Sequence, residues 1–224
     1  MKKIAGNLLI LLFIAIVTMS FVANEKKTKV LFFGDSITQK GITPGGYITQ
    51  MDSLLKLQGN ENYELVGAGV SGNKVYDLYL RMEQDVLDRK PDIVVIYVGI
   101  NDVWHKTTAG TGTDPDKYER FYRAIIKKLL DKNIKVIVCT PTVIGEKKDF
   151  CNQNDGDLNK YSQIIMSIAQ SNKLQVCDLR KTFVDYEQLN NTKNVDRGFL
   201  TLDRVHLNNA GNALVANELL KYLK

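Results

Sequence analysis

Residues 93–98 read Ile93-Val94-Val95-Ile96-Tyr97-Val98, the most apolar strand-like run beyond the N-terminus. Six apolar, mostly β-branched residues without alternation leave no face for water. That pattern belongs to a strand covered on both sides, as in a parallel sheet. Residues 29–33, 63–66, 134–139 and 174–179 also read as strands. Helical periodicity fills the gaps, at 47–57, at 75–87 with apolar residues at 75, 78, 79, 82 and 86, at 118–130 and at 158–169. Further helices fall near 183–189 and 210–223.

Five strands separated by helices of this length predict βαβ units, hence an α/β fold with a five-stranded parallel sheet and helices on both faces. Such sheets bind ligands beyond the carboxyl ends of the strands, at the topological switch point. The glycine-rich and polar segments 34–38, 67–73 and 99–105 follow the first three strands, and are expected to converge on one crevice.

The chain has 224 residues, 44% hydrophobic and 25% charged, with four prolines and no Pro/Gly/Ser-rich linker. One domain, residues 28–224, fits that length and composition. The first 23 residues differ. Lys2 and Lys3 precede an unbroken apolar run, residues 8–17, then Thr18-Met19-Ser20-Phe21-Val22-Ala23 and the charged Glu25-Lys26-Lys27. These are the marks of a secretory signal peptide, with a retained N-terminal membrane anchor as the alternative. An exported protein, periplasmic or extracellular, is the expectation, and no cysteine stands near the junction to carry a lipid. Of the net charge of +5, Lys2 and Lys3 contribute two, leaving about +3, too little to suggest nucleic acid as a partner.

Cys139 and Cys177 lie in apolar runs and Cys151 in a polar loop, so unpaired thiols are expected rather than a disulfide framework. No Cys/His cluster has zinc-ligand spacing. The Asn152-Gln153-Asn154-Asp155-Gly156-Asp157 stretch lacks the acidic pattern of a calcium loop and reads as a polar lead into the next helix.

Chemistry gathers elsewhere. In Gly34-Asp35-Ser36-Ile37-Thr38, a serine sits on a turn before a helix, where free N–H groups stabilise negative charge. By itself the segment reads better as a capped turn or helix start than as a nucleophile. A serine hydroxyl becomes a nucleophile only beside a base, and the chain has two histidines, His105 and His206. Asp203 stands three residues before His206, close enough in one tight turn to hold one ring nitrogen while the other faces a serine. Gly72, in GVSGN, offers an unobstructed backbone N–H, and Asn101, just past the apolar strand, offers an amide. Each also fits an ordinary turn.

Taken together, GDSIT, GVSGN, GINDVW and DRVHLNNAG resemble, in order and in place, the SGNH hydrolases, also called the GDSL lipase/acylhydrolase family. The resemblance spans residue 28 to the C-terminus. It implies a three-layer flavodoxin-like fold and a serine esterase with a Ser36–His206–Asp203 triad. It also implies an oxyanion hole made by the Ser36 N–H, Gly72 and Asn101. Asp35 and Asp102 are expected to brace turns.

The expected reaction is acyl transfer to water through an acyl-enzyme, with no metal and no organic cofactor. A small-molecule or glycan ester bearing a short acyl group such as acetyl is the expected substrate, and no stable protein partner is foreseen. Tyr47, Trp104 and His105 are the candidate pocket residues, although Trp104 fits loop packing as well. The same site would also serve a lysophospholipase, a thioesterase or an O-acetyltransferase. A non-catalytic binding domain would have no need of all five polar positions together.

Overall fold

The computed structural model describes residues 26–223. The signal peptide or anchor expected at residues 1–23 lies outside the described residues. Strands β1 (Thr28–Gly34), β2 (Tyr63–Gly69), β3 (Ile93–Tyr97), β4 (Lys135–Cys139) and β5 (Gln175–Cys177) form one sheet in the order β2-β1-β3-β4-β5. Every pairing is parallel. This is the flavodoxin-like order, and its switch point lies between β1 and β3.

Burial explains which strands are central. Val30 to Phe33 in β1 and all five residues of β3 are buried. Fully burying a Val, Ile or Phe contributes about 1.5–3 kcal/mol. That offsets the roughly 1–2 kcal/mol needed to fix each residue's backbone. The edge strand β2 keeps most of its residues partly exposed, and β5 has only three residues. Cys139 and Cys177 are register partners across β4 and β5, both buried as free thiols.

Eight helices among the described residues connect and cover the strands: α1 (Ser36–Gly41), α2 (Tyr47–Leu57), α3 (Val75–Asp85), α4 (Ile100–Thr108), α5 (Pro115–Asp131), α6 (Asp155–Asn172), α7 (Leu179–Asn190) and α8 (Asn209–Leu220). Successive side chains of a strand point to opposite faces, so the neighbours of Phe32 and Phe33 assign the layers. The Tyr47 ring meets Phe32 edge-on at 5.7 Å, which puts α2 on one face, with α8 packed beside it. The Arg81 guanidinium lies 4.6 Å from the Phe33 ring, which puts α3 on the other, followed by α5 and α6. Helix α5 buries the stripe Tyr118, Tyr122, Ile125, Ile126 and Leu129, and begins with Pro115, whose missing N–H costs nothing in a first turn.

Within segment 99–105, Ile100 starts helix α4, burying Ile100 and Val103 against the core. One apolar turn and an N-cap glycine with no capping side chain leave little local signal for so short a helix. Tyr47 is not a pocket residue. It is fully buried, and its hydroxyl is spent on Thr38 Oγ1 at 3.0 Å.

Candidate active site

Strand β1 ends where the chain must turn sharply into α1. A Cβ on Gly34 would sit 2.4 Å from the Tyr97 carbonyl oxygen, so only glycine lets β1 run this close to β3. Asp35 caps α1, its Oδ1 accepting from the Ile37 N–H at 3.0 Å. Ser36 is therefore the first helical residue, beyond the carboxyl end of the central strand.

The histidine arrives from the far end of the chain. Between α7 and α8 the described residues form no helix or strand, only turns and one isolated bridge, Thr201 with Leu207. Within this loop Asp203 Oδ1 accepts from the backbone N–H groups of Val205 at 3.2 Å and His206 at 2.8 Å. Its Oδ2 holds the ring Nδ1 of His206 at 2.7 Å. The other ring nitrogen, Nε2, stands 3.0 Å from Ser36 Oγ. With Nδ1–H donated to Asp203, Nε2 is free to accept the serine proton. Partial burial pushes Asp203 upward, but the backbone and ring N–H groups of His206 outweigh it and hold the carboxyl below its ordinary range. A charged acid then faces the ring, able to stabilise an imidazolium.

Potential anion donors stand at the neighbouring strand ends. Gly72 has φ +78° with open space where a Cβ would go, so the backbone conformation, not crowding, calls for glycine there. Asn101 is buried in the first turn of α4 and donates through Nδ2 to the Asn73 carbonyl at 3.0 Å. An amide NH₂ has two hydrogens, so one remains for a ligand. Asp102 braces the same junction, both its oxygens accepting from the Val75 N–H at 3.2 and 3.3 Å. Burial pushes Asp35 and Asp102 up to about 7.

Arg81 escaped the sequence reading. Its Nη2 donates to the carbonyls of Gly34 at 2.7 Å and Ala68 at 3.0 Å, and its Nε donates to Asn73 Oδ1 at 2.6 Å. One guanidinium thus joins the ends of β1 and β2 to the loop carrying Gly72. An arginine off the apolar stripe of a helix carries no local sign of such partners.

Trp104 is half-buried, its ring edge-on to the His206 ring at 6.5 Å. His105 lies beside Trp104 at 5.8 Å, and among the described residues its ring makes no hydrogen bond to Ser36 or His206. Burial, then the charge of Lys74, lowers the His105 pKa. No group of three or more His, Cys, Asp or Glu side chains among the described residues could hold a metal ion. In the expected calcium-free stretch, Asp155 accepts from the Asn152 N–H at 2.9 Å and from Arg180 at 2.7 Å.

Residues 32–214 match the model of the GDSL-like lipase/acylhydrolase family. The chain belongs to that family. An acetylxylan esterase of Geobacillus stearothermophilus is 30% identical over 210 residues, 86% of this chain and 92% of its own length. Among solved structures, the acetyl xylan esterase AlAXEase is 57% identical, with a TM-score of 0.86 over 88% of this chain and all of that one. The acetylxylan esterase Axe2 from Geobacillus stearothermophilus is 27% identical, with a TM-score of 0.77 over 88% of this chain and 94% of that one. An uncharacterised lipoprotein of Bacillus subtilis, YqeF, is 29% identical over 101 residues, 44% of this chain and 42% of its own.

Proposed function

We propose that this carboxylic ester hydrolase removes acetyl groups from a carbohydrate, with Ser36 as nucleophile, His206 as its base and Asp203 as the acid that orients the ring. The observation that carries the assignment is the continuous contact from Asp203 through the His206 ring to Ser36 Oγ, at 2.7 and 3.0 Å. As Oγ attacks the ester carbonyl, Nε2 takes its proton. The oxyanion accepts from the Ser36 and Gly72 N–H groups and the Asn101 amide. His206 then gives that proton to the departing sugar oxygen, leaving an acetyl ester on Ser36. Water, deprotonated by the same nitrogen, attacks that ester, and Nε2 returns the proton to Ser36 Oγ as acetate leaves.

The names of the 57% and 30% identical relatives support acetyl esters of a xylan-like glycan as the substrate class. Trp104 beside His206 supports a short acyl pocket. Export is supported by Lys2, Lys3 and the apolar run at 8–17, and by the relative named a lipoprotein. No helix among the described residues is long and apolar enough to cross a membrane.

A fluorophosphonate probe should label the protein and fail to label Ser36→Ala of unchanged fold. Acetyl p-nitrophenyl ester should be cleaved in preference to octanoyl, and acetate should be released from acetylated xylo-oligosaccharide. Labelling that survives in Ser36→Ala would remove the nucleophile assignment, and a preference for octanoyl the substrate assignment.

A further inference from the structure

The loop that delivers Asp203 and His206 has no regular structure of its own, and Arg204 within it has φ +83°, a conformation that L side chains rarely adopt. Something outside the loop must hold it in position. The buried polar groups identify that support. Glu146, in the segment after β4, is fully buried, and its carboxylate takes three backbone donors from the loop. Phe199 N–H donates to Oε2 at 2.9 Å, Leu200 N–H to Oε1 at 2.7 Å, and Thr201 N–H also to Oε1.

We propose that Glu146 is a positioning residue for the esterase reaction, its buried carboxylate seating the Asp203–His206 turn against Ser36. The inference rests on the triad reading above. Its path is contiguous. Thr201, held by Glu146, accepts through Oγ1 from the Arg204 N–H at 3.0 Å, inside the turn itself. Leu202 N–H donates to the His206 carbonyl at 2.7 Å. A second set of bonds runs alongside: Gly145 N–H donates to the Arg204 carbonyl at 2.8 Å, and Glu146 N–H to the Asp196 carbonyl at 3.1 Å. Asn191 Nδ2 fixes Glu146 in turn, donating to its carbonyl at 2.7 Å. Three N–H groups converging on one carboxylate are charge-assisted bonds, stronger than neutral ones. They also satisfy backbone donors that the loop, lacking a ladder, would leave buried and unpaired.

The geometry explains why a carboxylate is needed. A glutamine keeps one accepting oxygen, for Leu200 and Thr201 or for Phe199, and turns an NH₂ toward the remaining donor. The loop would lose part of its seat, while the bonds from Gly145 to Arg204 and from Arg204 to Thr201 remain. Misplacement of a reacting group by about 1 Å costs about 10²-fold in rate.

Glu146→Gln should therefore lower kcat for p-nitrophenyl acetate about 10- to 100-fold, counted per probe-reactive serine, with KM nearly unchanged. The low-field NMR signal of the His206 Nδ1 proton, assigned by its loss in His206→Asn, should move or broaden. Thr201→Val, which keeps the side-chain shape and deletes only the acceptor for Arg204, should show the same split in milder form, and serves if Glu146→Gln does not fold. Unchanged kcat and an unchanged ring-proton signal in a folded variant would overturn the proposal, leaving Glu146 a structural residue only. Full activity of Ser36→Ala, in contrast, would remove the triad reading itself and is scored separately.

Discussion

Asn101 donates one amide hydrogen to the carbonyl of Asn73, 3.0 Å away, and so ties the first turn of α4 to the loop that follows β2. The two segments come from different βαβ units, and Asp102, bound to the Val75 N–H, fastens them a second time. The donors proposed for the oxyanion, which come from separate strands, are held in one frame by these bonds. Such preorganisation is what makes hydrogen bonds to a developing charge effective.

Replacing Asn101 by alanine should lower turnover about 10²–10³-fold, the range for one lost oxyanion donor. KM should change little, because the lost bond strengthens mainly in the transition state. Steady-state kinetics on p-nitrophenyl acetate measure both. A loss confined to KM would mean that the amide binds substrate without serving the oxyanion.

Arg81 offers a test of the frame itself. Its side chain is only 17% exposed, and four acceptors depend on it: Gly34, Ala68, Asn73 and Asp85. Arg81→Met would take one charged donor from all four, while Gly34 keeps the Val70 N–H and Asp85 keeps Arg89 at 3.7 Å, at a cost of about 1–3 kcal/mol. Arg81→Lys restores the charge but not the fork of donors, so it should recover only part of the stability. Urea denaturation gives the comparison, and full recovery with lysine would show that charge alone matters.

How much of this was legible follows from where each interaction lies along the chain. The central strands announced themselves because residues 30–33 and 93–97 bury both faces, which forces continuous apolar runs. Asp203 and His206 were legible as a pair because their contact closes within one turn. Tyr47 was misread because an aromatic hydroxyl beside glycines looks like a pocket wall, whereas Thr38, nine residues earlier, satisfies it in the core. Arg81 and Glu146 left no trace, since their partners lie up to 47 and 55 residues away. A local pattern cannot encode a bond whose other half is set by topology.

Trp104 stands edge-on to His206 at 6.5 Å, and in the proposed acetylesterase its ring would limit what an acyl chain can occupy. Trp104→Ala should open that side and raise the ratio of octanoyl to acetyl cleavage by about tenfold, in keeping with roughly 1–3 kcal/mol for small changes in an apolar pocket. An unchanged ratio would assign the ring to packing of α4 instead.

The last prediction concerns pH. Glu187 is buried in α7, one carboxyl oxygen without a hydrogen bond among the described residues. Burial first, and then the charge of Glu146, push it up to about 8, with Asp155 adding to the rise and Arg180 opposing it. Asp35 and Asp102 are raised to about 7, mainly by burial. A raised carboxyl binds its proton more tightly in the folded protein than in the unfolded chain. Between about pH 4 and pH 8 the folded state then holds more protons, and linkage requires stability to fall as pH rises through that window. Asp203, with its depressed pKa, acts in the opposite sense, adding stability that is lost toward acid. Glu187→Gln removes one proton from this balance without touching Ser36, His206 or Asp203. Unfolding free energies from urea titrations at pH 5 and pH 9 should therefore lie closer together in the variant than in the parent protein, by an amount on the order of a few kcal/mol. Equal separations in the two proteins would show that Glu187 does not titrate in this range, and that the alkaline loss belongs to Asp35 and Asp102.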